Sequence, residues 1–211
     1  MGSRLRAILP GLVFALITLA PLNGFSQTAA SSSNPSASTH RVSSATTAAS
    51  SRFQQKLDWL QKNGQQAHPD QRPTTFTQDE LNAYVAAGPV KLPEGVENLV
   101  FALAPGAVSA NMQVDFDVLA ARSSNPLLSL FSGTHQVLVK AHGAGSGGVA
   151  RAHIDSVALD GSAIPRFILQ MFVEKMLQPK YSQASLDPVI KLPEKIDLLE
   201  LGTKQATVTQ K

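Results

Sequence analysis

Five histidines, His40, His68, His135, His142 and His153, are the side chains on which metal or acid–base chemistry would most naturally rest. No two of them stand at the spacing that aims both rings off one helix, and the chain has no cysteine to complete a zinc set. Neither a metal nor any other cofactor is expected. Asp115 and Asp117 share one wet strand face, where nothing pushes their pKa values apart as an acid and base pair requires. Gly143, Gly145 and Gly148 fit G-x-G-x-x-G, a spacing that lets backbone approach a pyrophosphate at a helix start. A period-two strand follows at Val149 instead of a helix, so these glycines read as a flexible hairpin loop. No G-x-S-x-G elbow is present to activate a serine. The chain is therefore read as a non-enzyme, an exported hydrolase being the weakest of the functional classes considered.

The N-terminus bears on the compartment. Arg4 and Arg6 precede an uncharged apolar run from Ala7 to Ala20, and Gly24-Phe25-Ser26 supplies small residues two apart. Residues 1–26 are expected to be a secretory signal peptide cleaved near Ser26. A spanning helix needs about 20 apolar residues; this run is shorter and broken by Pro10-Gly11, so an uncleaved anchor is the weaker reading. Without cysteine there is neither a lipidation point nor a disulfide framework. A periplasmic or secreted protein with an ordinary core is expected.

The chain of 211 residues leaves room for one domain after its leader. Of its 18 basic residues, the signal takes Arg4 and Arg6, leaving 16 against 15 acidic ones. A chain so near neutrality lacks the concentrated basic surface that nucleic acid attracts, and none is expected as partner.

Residues 27–50 are almost entirely Ser, Thr and Ala and read as a disordered leader that cannot offset its ordering entropy. Phe53, Leu57 and Leu60 then fall at helical spacing beside Trp59, so residues 51–75 are expected to hold a short amphipathic helix, ended by Gly64, and a loop. That helix either flanks the domain or meets a membrane interface. Residues 76–211 form the single α+β domain. Thr77 and Glu80 make a capping box, with Phe76 and Leu81 as its hydrophobic staple, for a helix from about Gln78 to Ala87.

From Val108 to Val118 apolar and polar residues alternate over eleven positions, and Asn98–Ala104 joins them across Pro105-Gly106 as an antiparallel hairpin. A second hairpin pairs Thr134–His142 with Val149–Leu159. Setting His142 opposite Val149 collects Val137, Val139, Ala141, Ala150, Ala152 and Ile154 on one face and Gln136, Lys140, His142, Arg151, His153 and Asp155 on the other, and sets Lys140 opposite Arg151. Lys91-Leu92-Pro93-Glu94 before Val96 recurs as Lys191-Leu192-Pro193-Glu194 before Ile196, the same device entering two strands, the second of which opens a final hairpin about Gly202.

Between these hairpins, a helix beginning at Ile164-Pro165 is apolar around three quarters of its circumference as far as Leu177, with Arg166, Gln170 and Glu174 on one stripe. Burying its eight large apolar side chains is worth about 12 to 24 kcal/mol, at about 1.5 to 3 each. The helix is expected to be covered on several sides.

The order of these elements resembles the LmeA-like phospholipid-binding proteins of the tubular lipid-binding (TULIP) superfamily. The resemblance rests on Thr77 to Asn82, the paired strands from Val96 to Val118, Gly161-Ser-Ala-Ile-Pro165 opening the helix, and Leu192-Pro193 before the last hairpin. It implies a strongly curved antiparallel sheet of hairpins wrapped around the apolar helix as a half-roll, with acyl chains in the trough between them. The positions that would line that trough are Phe101, Met112, Val114, Phe116, Val137, Val139 and Ile154 from the strands, and Ile168, Met171, Phe172 and Met176 from the helix. A lipid or other hydrophobic small molecule is the expected partner, with peripheral membrane or envelope-protein contact besides. The competing expectation is an envelope interaction domain whose core is solid.

Overall fold

A computed structural model describes residues 44–121, 132–178, 182 and 184–211. The expected signal peptide and residues 27–43 of the leader lie outside them. The described chain is α+β, with one nine-stranded antiparallel sheet and a few helices.

Helix α1, Ser44–Gly64, starts inside the segment expected to be a disordered leader. Ala49 continues the stripe of Phe53, Leu57 and Leu60 one turn upstream, and all four are buried, so packing orders the Ser/Thr/Ala residues that composition alone would leave free. Trp59 packs half-buried against the same core. After β1, Thr74–Thr77, comes α2, Gln78–Ala86, with both bonds of the capping box in place. Phe53 contacts the rings of Phe76 and Tyr84, with centroids 5.0 and 4.7 Å apart. The Glu80 carboxylate is buried between the two helices, 2.6 Å from Lys56 Nζ and 3.4 Å from Arg52 Nε.

Strands β2, Val96–Ala104, and β3, Ala107–Asp115, form the expected hairpin about Pro105-Gly106. The alternation runs three residues beyond the strand itself. Asp115 Oδ1 accepts the backbone N–H of Asp117 at 2.9 Å and of Val118 at 3.1 Å, and the chain turns there into α3, Phe116–Ala121. A side chain that satisfies the first orphan amides starts a helix where pattern alone would extend a strand.

Strands β4, Thr134–Ser146, and β5, Val149–Leu159, form the second hairpin, in a different register from the one expected. Ser146 stands opposite Val149 and His142 opposite His153. Gly147 and Gly148 both have positive φ, 63° and 76°, and together make a two-residue turn that lets each strand run on to its end. From Ala141 to Ser146 the displacement is four residues, an even number, so the expected apolar face survives there while individual partners change, and a bulge between Lys140 and Ala141 makes it five for the pairs beyond. Lys140 pairs with Ser156, not Arg151. Gly143 and Gly145 are therefore strand residues. A Cβ on Gly145 would come within 2.9 Å of Leu192 and 3.0 Å of Leu199, so what reads as a loop is a close crossing of strands.

The remaining elements are β6, Ser162–Ala163, α4, Arg166–Phe172, a π-helical turn at Val173–Leu177, β7, Val189–Lys191, β8, Ile196–Gly202, and β9, Gln205–Gln210. The sheet order is β1-β9-β8-β4-β3-β2, with β5 on the other side of β4 and β6 and β7 on β5. The two Lys-Leu-Pro-Glu segments act alike. Val96 N–H donates to Pro93 O and Ile196 N–H to Pro193 O, each at 3.0 Å, and Asp115 and Lys211 return N–H bonds to Gly95 O and Lys195 O. Among the described residues no helix is long and apolar enough to cross a membrane.

Candidate functional site

The sheet's apolar face brings most of the expected trough residues together. Phe101 is the partner of Ala110, Ala110 of Val139, and Val139 of Val157; Met112 is the partner of Val137. Phe101, Met112, Val114, Val139 and Ile154 are all buried in one cluster with Phe53, Leu57 and Leu60 of α1 and Leu81, Tyr84 and Val85 of α2. Val137 packs half-buried at its margin. The space in front of β2 and β3 is thus filled by the protein's own side chains, Phe53 at 0% and Phe101 at 1% exposure.

Phe116 was expected on the inner face of a strand and instead sits half-buried on α3, its ring 5.6 Å edge-on to His135. The two carboxylates beside it serve the backbone. Asp115 caps α3, and Asp117 Oδ2 accepts the Gly133 N–H at 3.0 Å.

The apolar helix departs most from expectation. No residue of α4 is buried; Val173, just beyond it, belongs to the core, and Leu169 packs against that core half-buried. Ile168 and Phe172 are half-buried, while Phe167 is 72% and Met171 42% exposed. The Met176 side chain lies outside the described residues. A three-quarter greasy circumference is a demand for covering, and the sequence pattern says nothing about whether this chain supplies the cover. One side is seated and the other is open. One surface groove, of about 680 Å³, lies elsewhere, between the Gly147-Gly148 turn and Lys191–Asp197, and includes none of the expected trough residues.

The outer face of β4 and β5 brings into contact polar groups that the sequence pattern places on one face without pairing them. His142 Nδ1 lies 2.6 Å from Asp155 Oδ1, His153 Nδ1 meets Asp187, and Arg166 Nη2 lies 3.3 Å from Asp187 Oδ2. At the start of β4, on the side of Val137 and Val139, His135 Nδ1 is 2.5 Å from Asp160 Oδ2. The Asp160 bond, helped by the Ser132 carbonyl, raises the His135 pKa above its ordinary value, and His135 with the Gln136 N–H lowers that of Asp160. The Gly-Gly pair was the signal that would have set the register and found the His142–His153 pairing.

No family model matches the chain, and neither a curated protein nor a solved structure does.

Other polar contacts hold the body rigid. Asn63 Nδ2 donates to Gln210 Oε1 at 2.7 Å, and Gln210 Nε2 donates to Leu60 O and Glu194 O, so a buried amide pair ties the end of α1 to β9 and to the turn before β8. Such fully partnered buried amides fix one arrangement of the elements. Among the described residues no buried side-chain nitrogen or oxygen lacks a partner.

Proposed function

We propose that the chain is an exported, non-enzymatic module of the tubular lipid-binding kind that holds an acyl chain or another long apolar molecule against the segment Arg166–Leu177. The supporting observation is the half-seated helix. Val173 and Leu169 anchor one side of it to the buried core cluster, and Phe167 and Met171 turn outward into water. Covering a large apolar side chain is worth about 1.5 to 3 kcal/mol, and Phe167 and Met171, four apart on one helix, offer such surface side by side. In this reading the guest lies along the outer stripe of the helix and not deep between Phe101 and Met112, where the interior is already occupied. The half-roll of sheet about helix, the export signal and the periplasmic setting belong to the same proposal.

The filled interior behind α1 and α2 favours a second reading, an envelope interaction domain that presents the same helix to a protein. One experiment separates the two. The full chain is purified without detergent and extracted for mass spectrometry, and uptake of a fluorescent fatty acid is titrated. The lipid reading expects near-stoichiometric lipid in the extract and saturable uptake, both lost in the double variant Phe167→Asp, Met171→Asp while its thermal unfolding matches the parent. Clean protein with no uptake overturns the lipid reading and leaves the interaction domain.

A further inference from the structure

In the observed register His142 of β4 is the direct partner of His153 of β5, and the two rings lie with centroids 5.0 Å apart, tilted by 40°. Each Nδ1 meets its own carboxylate, Asp155 for His142 and Asp187 for His153. A carboxylate at Nδ1 keeps the proton of a neutral imidazole there and leaves the lone pair on Nε2. That is the state in which imidazole ligates a transition metal, and ligating histidines ordinarily carry a carboxylate, carbonyl or water on the other ring nitrogen. Two imidazoles that share a tetrahedral ion through bonds of about 2.0 to 2.1 Å have ring centres about 5 Å apart. The spacing of these rings matches that separation.

We propose that His142 and His153 form a binding site for a divalent transition-metal ion of the zinc, copper and nickel class, each through Nε2, with Asp155 and Asp187 orienting the rings. Imidazole nitrogen suits these ions, whereas magnesium and calcium take oxygen. Among the described residues no group of three or more His, Cys, Asp or Glu side chains is placed to hold an ion, so the site is a two-nitrogen chelate completed by solvent. Its openness fits that role. The His142 side chain is 58% exposed and that of His153 37%, which leaves room for water or an exchanging partner in the other coordination positions.

Arg166 supplies the competing state. Its Nη1 lies 3.5 Å from His153 Nε2 and donates to Ile154 O at 3.1 Å, while Nη2 holds Asp187. An ion on Nε2 and the guanidinium contend for one lone pair, so binding displaces Arg166 from the ring. Arg166 is also the first residue of α4, so the ion acts on the anchoring of the apolar helix.

The test is titration of the full chain with Zn²⁺ by calorimetry and with Cu²⁺ by electron paramagnetic resonance. One ion per chain is expected, with the copper spectrum showing nitrogen ligation. His142→Gln and His153→Gln should each weaken binding by at least about tenfold, and His135→Gln should leave it unchanged. Arg166→Gln should tighten it, because the competing cation is gone. The histidine variants are checked for unfolding temperatures equal to the parent's in chelator, which shows that lost binding is not lost fold. Absence of saturable binding, or affinity indifferent to both histidine substitutions, overturns the site. Unchanged or weaker binding in Arg166→Gln overturns the placement of the ion on His153 Nε2.

Discussion

The side-chain amide of Asn82 bonds both backbone groups of Phe101: Nδ2 donates to the carbonyl at 2.9 Å and Oδ1 accepts the N–H at 2.8 Å. One turn earlier on the same helix, Gln78 Oε1 accepts the N–H of Leu103 at 2.8 Å. Four residues of helix rise about 6 Å and two residues of strand about 6.6 Å, so an i, i+4 pair of amides matches the spacing of successive outward backbone groups on β2. Helix α2 thereby closes a sheet edge that would otherwise offer its donors and acceptors to another chain.

Asn82→Leu should therefore cost more than its half-buried position suggests. It removes both partners of a residue whose side chain is buried in the core, for a loss of about 2 kcal/mol. Chemical denaturation measures the loss, and light scattering should show concentration-dependent association through the uncapped edge. A variant as stable and as monomeric as the parent would mean that water serves the Phe101 backbone equally well.

Glu80 predicts an acid limit to stability. Burial pushes its carboxyl upward, but the hydrogen bonds from Lys56 and from the Thr77 N–H, with Arg52 beyond, more than reverse this, and its pKa lies below its ordinary value of 4.5. A depressed folded-state value means that the unfolded chain binds the proton first, so the stabilisation is complete above about pH 4.5 and disappears as pH falls through the folded value. Glu80→Gln should lower stability near neutrality by about 1 to 3 kcal/mol. Urea midpoints of parent and variant should converge as the solution is acidified.

The local signals in the chain were readable because each closes within a few residues. Thr77 and Glu80 cap each other's turn, Pro105-Gly106 joins strands already alternating, and the two Lys-Leu-Pro-Glu segments enter strands in the same way. What was not readable depends on partners far away in sequence. Alternation through Phe116 and Val118 cannot reveal that Asp115 will spend its carboxylate on their turn. Apolar periodicity assigns faces to β4 and β5 but is blind to an even-numbered slip, so His142 and His153 were placed on one face and not opposite each other. The greasy circumference of residues 166–177 records a need for contact without naming what meets it.

His135 predicts the opposite pH sign from Glu80. Its pKa is raised by the Asp160 carboxylate and the Ser132 carbonyl from an ordinary value of 6.5. A raised value contributes stability that is full below about pH 6.5 and is lost as pH rises through the folded value. The His135→Gln variant should lie below the parent in melting temperature on the acid side and converge with it on the alkaline side. His135 is half-buried and Asp160 exposed, so added salt should shrink the difference. A gap that widens with pH would reverse the assignment.

Met112 and Phe167 distinguish an interior that is full from a surface that waits for a guest. Met112 is buried among Val114, Val139 and Phe101, with Val137 as its cross-strand partner, whereas Phe167 stands in water. Met112→Trp adds volume to a packed cluster and should cost about 1 to 3 kcal/mol, while Phe167→Ser should change stability by no more than about 0.5 kcal/mol. If acyl chains lay against Met112, the larger side chain would fit the vacated space in lipid-free protein and the fold would keep its stability. If they lie along the outer stripe of α4, the serine variant should retain its melting temperature and lose affinity for a fluorescent fatty acid, and the tryptophan variant, although less stable, should bind as the parent does. The two substitutions thus exchange their effects between the two placements, and a melt paired with a binding curve for each variant decides which one holds.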